Sequence, residues 1–184
     1  MNDTILKMKT MQRAMRPYVL ILYEMILESK PEFVLEIGTG QCQSARAITS
    51  ALSENKKGKL ISVDVGDRRS RMPVELLPYF IQIISDSHLE IALEKVKEVS
   101  PIYDFLFIDG DHTYEGVKKD FEMYVPLVKE EGIILMHDTV NHNEGVKDFW
   151  DEIKYPKVNF KYGNAANGVV PGLGIIEKIT ESKE

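Results

Sequence analysis

The chain has 184 residues, 43% of them hydrophobic and 28% charged, which suits a single domain with its own core and excludes a disordered chain or a disulfide-stapled scaffold. Its formal net charge is −6, against the basic face that nucleic-acid binding requires. Cys42 is the only cysteine, which rules out an intrachain disulfide and fits a reducing cytoplasm.

Residues 4–28 read as helix, with Leu6, Met8, Met11, Met15, Val19, Leu22 and Ile26 mostly three or four apart. Pro17 should break or kink it. Residues 1–17 lack the layout of a secretion signal. The apolar run Tyr18 to Leu27 is interrupted by Glu24 and too short to cross a bilayer. The Met-rich segment 1–30 is open to three roles: a lid over a ligand, a contact with a second copy of the chain, or plain core packing.

Phe33 to Ile37 is a short buried strand that runs into the tight turn Gly38-Thr39-Gly40. Gln43 to Leu52 is helix and Leu60 to Asp64 a second strand. Gly66 to Pro78 is irregular. Its cluster Arg68-Arg69-Arg71, like Lys56-Lys57-Lys59 before it, reads as a solvated turn. Phe80 to Ile84 is a third strand, Ser87 to Val99 an amphipathic helix, and Tyr103 to Ile108 a fourth strand. Val117 to Val128 is helix, Gly132 to Met136 a fifth strand, and Glu144 to Ile153 helix. Val158 to Tyr162 and Leu173 to Ile179 close the chain as a strand pair. Such alternation predicts an α/β fold over 31–184: a doubly wound, Rossmann-like, mostly parallel seven-stranded sheet with a C-terminal antiparallel pair.

The polar residues gather at strand ends: Glu36 and Gly38 to Gly40, Asp64, Asp86-Ser87, Asp109 to His112, and His137-Asp138. In a parallel sheet these ends share one edge, and ligands bind there at the switch in strand order. Gly38-x-Gly40 lets backbone approach a ligand closely, and Asp64 is placed to accept hydrogen bonds from a ribose. Both features fit a dinucleotide or an adenosyl cofactor equally, and the third position of the glycine fingerprint is Gln43. Glu36, read at the mouth of the turn, separates them, because a carboxylate there repels a pyrophosphate and attracts an ammonium or sulfonium.

The stretch Val34-Leu35-Glu36-Ile37-Gly38-Thr39-Gly40 resembles the first motif of class I S-adenosylmethionine-dependent methyltransferases. Ile61 to Asp64, Asp86-Ser87, Phe105 to Tyr114 and Gly132 to Asp138 continue the likeness, toward the small-molecule O-methyltransferase branch of catechol-type and sugar-type enzymes. The resemblance implies that Glu36, Gly38, Thr39 and Gly40 flank the methionine moiety and that Ser44 reaches its carboxylate. It further implies Asp64 at the ribose, Asp86 and Ser87 at the adenine, and Asp109 near the sulfonium and amine. In the metal-dependent relatives two acids and an amide hold magnesium. Asp109 and Asp138 match the acids, but Thr139 stands at the amide and His137 precedes the second acid. An oxygen-rich set suits magnesium and a His-containing set a transition metal.

Methyl transfer to a hydroxyl needs its proton removed. His112, on the same loop as Asp109, is the first candidate base, since histidine takes a proton near neutral pH; His137 is the second. His88 and His142 read as helix-surface residues, Trp150 as a core anchor and Tyr114 as an acceptor-pocket residue. The expected partner is a partly apolar small molecule held by residues 1–28, 139–145 and 163–172. Two other readings stay open: a nicotinamide-dependent oxidoreductase, and an adenosyl-cofactor binder without transfer activity.

Overall fold

A computed structural model describes residues 16–140, 145–161 and 172–178. The expected helical residues Leu6, Met8, Met11 and Met15, together with His142 and residues 163–171, lie outside them, and Pro17 falls where the description begins. The helices are α1 (Arg16–Ser29), α2 (Gln43–Asn55), α3 (Glu90–Val99), α4 (Tyr114–Tyr124) and α5 (Gly145–Glu152). The strands are β1 (Phe33–Ile37), β2 (Lys59–Asp64), β3 (Phe80–Ile84), β4 (Tyr103–Ile108), β5 (Val128–His137), β6 (Lys157–Lys161) and β7 (Gly172–Glu177). They form one sheet in the order β3-β2-β1-β4-β5-β7-β6. Strands β1 to β5 are parallel, and β7 runs antiparallel to both β5 and β6. The doubly wound sheet and its antiparallel C-terminal pair are those that the alternation of helix and strand predicts.

Each inner strand is buried on both faces, so its alternate side chains feed two cores. Leu35, Ile37, Leu106, Ile108, Ile134 and Met136 pack with α3, α4 and α5, where Val96, Phe121, Tyr124 and Trp150 are buried. Val34, Leu60, Phe105, Phe107 and Leu135 face α1 and α2, with Tyr18, Leu22, Ile26, Ile48 and Leu52. From Tyr18 onward α1 is therefore core-packed.

Several boundaries differ from the sequence reading. Helix α3 starts at Glu90, not Ser87, because the Asp86 carboxylate accepts the His88 N–H at 2.9 Å and turns the chain first. Helix α4 starts earlier, at Tyr114, where the Thr113 hydroxyl caps the Gly116 N–H at 3.1 Å. It gives way at Val125 to a short 3-10 turn that contains Pro126. Strand β5 begins at Val128 rather than Gly132, and the stretch after β2 holds two 3-10 turns, Arg69–Arg71 and Val74–Tyr79.

At the N-terminal edge of the sheet, Asp104 of β4 accepts the Glu32 and Phe33 N–H groups at 2.7 and 2.9 Å and pairs with Lys129 of β5 at 2.6 Å. Three strands are thus stapled at the edge opposite the site.

Candidate active site

Strands β1 and β4 are neighbours although α2, β2, β3 and α3 separate them in sequence, so the strand order switches between them. The loops that leave them form the floor of the site. Gly38 has φ +90°, and a Cβ there would lie 2.1 Å from the carbonyl oxygen of Asp109. Only glycine lets the two loops touch. Gly40 has φ +49° and opens onto free space.

Two cavities meet at Gly38, Gly40 and Asp109. The first, about 370 Å³, runs past Asp64, Ser85, Asp86, Ser87 and His88. The second, about 260 Å³, runs past Gln41, Gln43, His112, His137 and Asp138.

Asp64 lies between the loops. Its Oδ2 accepts the Thr39 and Gly40 N–H groups at 3.1 and 2.9 Å. Its Oδ1 accepts Gly66 N–H at 2.8 Å and pairs with Arg68 at 3.1 Å. Burial opposes its charge, but these donors hold the carboxyl below the usual range. The acid assigned to the ribose therefore also clasps the glycine turn.

Glu36 does not sit at the mouth of the turn. It is fully buried and lines neither cavity. Strand alternation turns it toward α2, where Ser44 donates to its Oε1 at 2.5 Å and Ser62 donates to its Oε2. Burial pushes its carboxyl up to about 7, against these two hydrogen bonds. Ser44 correspondingly gives its hydroxyl proton to Glu36 rather than to the second cavity. Thr39 is buried, with its hydroxyl 2.6 Å from Ser62 Oγ. Ser62, missed in the sequence, joins Thr39 to Glu36; its signal was a serine between Leu60 and Asp64 on the α2-facing side of β2.

At the far end of the first cavity Asp86 is exposed and Ser87 donates to Asp120 Oδ1 at 2.7 Å. His88 is not a helix-surface residue: it lines the cavity, with Nε2 3.3 Å from Asp120 Oδ1 and 3.1 Å from the Gly116 carbonyl. Asp120 is fully buried, and burial pushes its carboxyl up. Tyr114 lines neither cavity; its hydroxyl donates to Glu152 at 2.8 Å and its ring meets Phe149 edge-on. Trp150 is buried in the core, as read from the sequence.

The second cavity holds an acid–imidazole cluster. His137 Nδ1 lies 3.3 Å from Asp109 Oδ1 and 3.1 Å from Asp138 Oδ2. His112 bridges the same two acids, Nε2 to Asp109 at 3.3 Å and Nδ1 to Asp138 at 3.5 Å. Adjacent strand residues normally diverge. Asp138, with φ +58°, folds back into the left-handed region and brings its carboxylate beside its neighbour. Burial disfavours the charged forms. The mutual attraction outweighs it, so Asp109 is held down at about 2 and His137 is pushed up to about 10. Tyr18 of α1 meets the His137 ring edge-on at 5.1 Å.

Oxygen and nitrogen atoms of Asp109, His137 and Asp138 lie within 4.8 Å of one another, and both buried ring nitrogens of His137 lack a well-formed hydrogen bond. A divalent cation would satisfy such a set. The sequence marks the two acids as metal ligands and His137 as the second candidate base.

Residues 35–139 match the sequence profile of a family described as a methyltransferase domain, and the chain belongs to that family. The uncharacterized protein y4gI of Sinorhizobium fredii is 34% identical over 90 residues, which is 47% of this chain. The chain spans about a tenth of the length of that relative. Two solved structures share the fold. An O-methyltransferase from Bacillus cereus, in complex with S-adenosylhomocysteine, has a TM-score of 0.72 and 16% identity, over 97% of this chain and 92% of that one. The O-methyltransferase TomG from Streptomyces achromogenes, involved in tomaymycin synthesis and solved with S-adenosylmethionine, has a TM-score of 0.68 and 15% identity, over 98% and 91%.

Proposed function

We propose that this chain transfers a methyl group from S-adenosylmethionine to a hydroxyl oxygen of a small molecule. The single observation that carries the cofactor choice is the double acceptance by Asp64 Oδ2. The Thr39 and Gly40 N–H groups, which in a dinucleotide site would cradle the pyrophosphate, are already bonded to a carboxylate. Asp64 and Asp109 line the junction, and carboxylates there suit a sulfonium and an ammonium and disfavour a phosphate chain. The carboxylates at the junction are those of Asp64 and Asp109, not that of the buried Glu36.

In this reading the first cavity takes the adenosine, with Asp64 at the ribose and Asp86 and Ser87 at the adenine. The second takes the amino-acid end and the acceptor, with Asp109 beside the ammonium. The acceptor oxygen attacks the methyl carbon in line as the sulfur–carbon bond breaks and S-adenosylhomocysteine leaves. His112, braced between Asp109 and Asp138, receives the hydroxyl proton. Asp109, His137 and Asp138 would hold a divalent cation, which when bound lowers the pKa of an acceptor hydroxyl. The imidazole in the set favours a first-row transition metal over magnesium. No helix among the described residues is long and apolar enough to cross a membrane, and we place the reaction in the cytoplasm, on a small acceptor.

The test is a pair of melting experiments. S-adenosylhomocysteine at a hundred times its dissociation constant should add about 2.7 kcal/mol, while NAD should add nothing. Stabilisation by NAD alone would transfer the site to a nicotinamide enzyme. In a turnover screen over hydroxylated acceptors, His112→Ala should lose activity and keep S-adenosylhomocysteine affinity. Cofactor binding without turnover on any acceptor would favour a non-catalytic binder.

A further inference from the structure

The second cavity is lined by two acids, Asp109 and Asp138, and by two amide residues, Gln41 and Gln43. An α-amino acid group is bipolar, and Asp109 and Asp138 suit its ammonium. The carboxylate end needs a donor or a cation. The donors nearest the turn are already committed: the Ser44 hydroxyl to Glu36, and the Thr39 and Gly40 N–H groups to Asp64.

Arg71 stands beside Gln41, a residue that lines the cavity, and its Nη1 donates to Gln41 Oε1. Its own position is fixed from α2, because the guanidinium of Arg46 grips the Arg71 carbonyl, with Nε at 3.1 Å. Arg68 is neutralised by Asp64, whereas the side chain of Arg71 meets, among the described residues, the Gln41 amide and no carboxylate. Among the described residues, Arg71 is thus a cation without a carboxylate partner, on a loop pinned by Arg46 and in contact with the neutral amide of Gln41.

We infer that Arg71, presented through Gln41, binds the α-carboxylate of the cofactor's amino-acid end. The inference rests on the S-adenosylmethionine reading and adds to it a residue the motif does not contain. A carboxylate entering beside Gln41 exchanges a neutral contact of Arg71 for a charge-assisted one, the stronger kind. Arg68-Arg69-Arg71 is then not merely a solvated turn: its first member braces Asp64 and its last faces the ligand.

The experiment is calorimetric titration of the full chain with two nucleosides. S-adenosylhomocysteine carries the amino-acid carboxylate; 5′-methylthioadenosine keeps the thioether and the adenosine and lacks it. Arg71→Gln should weaken S-adenosylhomocysteine about tenfold and leave 5′-methylthioadenosine unchanged, which also shows that the site has kept its fold. Arg71→Lys should recover part of the loss. Unchanged S-adenosylhomocysteine affinity in Arg71→Gln would overturn the inference, as would an equal loss for both nucleosides. If neither nucleoside binds the wild type, the inference falls with the cofactor reading itself, an outcome distinct from the other two.

Discussion

Glu36 is the second-last residue of β1, buried and held by two serine hydroxyls. Glu36 stands two residues before Gly38, and spacing alone puts it near the turn. Strand alternation decides otherwise: Glu36 shares the face of Val34, toward α2, where two serines receive it. Its carboxyl is raised from the usual 4.5 to about 7, so the folded state holds the proton more tightly than the unfolded chain. The stability this contributes is fully present below about pH 4.5 and is lost as pH rises through about 7. Glu36→Gln keeps the shape and removes the titration. Relative to wild type it should gain stability between pH 4.5 and 7, by up to about 3 kcal/mol, and run parallel outside that window. Urea midpoints across pH 4 to 8 measure it. Curves parallel throughout would mean that Glu36 titrates normally and that its burial is not felt.

Element identity was legible because the central strands hold short apolar runs and the helices an apolar stripe; element ends were not. Asp86 and Thr113 act on boundaries through hydrogen bonds that composition does not encode. The same limit hid the role of His88, because a histidine placed on a helix by periodicity sits instead in the preceding turn. Helix α5 and strand β7 show what the sequence held without revealing it. Trp150 is readable as an anchor, but its partner is Gly174. A Cβ there would lie 2.4 Å from Trp150 Cζ3 and 2.5 Å from Cη2, so the indole lies flush on the strand backbone. Gly174→Ala should cost about 1–3 kcal/mol by overpacking. Trp150→Phe lacks those two ring atoms, so the alanine should cost less in the Trp150→Phe background. A double-mutant cycle by chemical denaturation reads the coupling. Additive losses would mean that the strand can move away from the ring.

Across the whole molecule, stability and function occupy different edges of one sheet. The N-terminal edge is stapled by Asp104 to β1 and β5. The C-terminal edge spends its polar groups on loops, with Asp64 clasping the turn and His137 held between acids. The parallel order was legible because alternation of helix and strand with right-handed crossovers leaves few topologies. The gathering of five strand ends followed from it, while side-chain direction at those ends did not. The order also sets a gradient of protection. Val34, Leu35, Phe105, Leu106 and Phe107 in the two central strands are essentially inaccessible, whereas Val158 and Phe160 of edge strand β6 are 60% and 37% exposed. Amides of β1 and β4 should therefore exchange only through global unfolding, and those of β6 through cheaper local opening. S-adenosylhomocysteine bridging the two cavities should slow exchange in residues 38–40, 85–88 and 109–112 and leave the local opening of β6 unchanged. Native-state hydrogen exchange read by mass spectrometry, with and without the nucleoside, separates the two effects. If β6 exchanges as slowly as β1, the sheet opens as one unit and the edge is no weaker than the centre. If the nucleoside slows β6 by local opening as much as the loops, the site reaches across the C-terminal strand pair, and the division between the two edges fails.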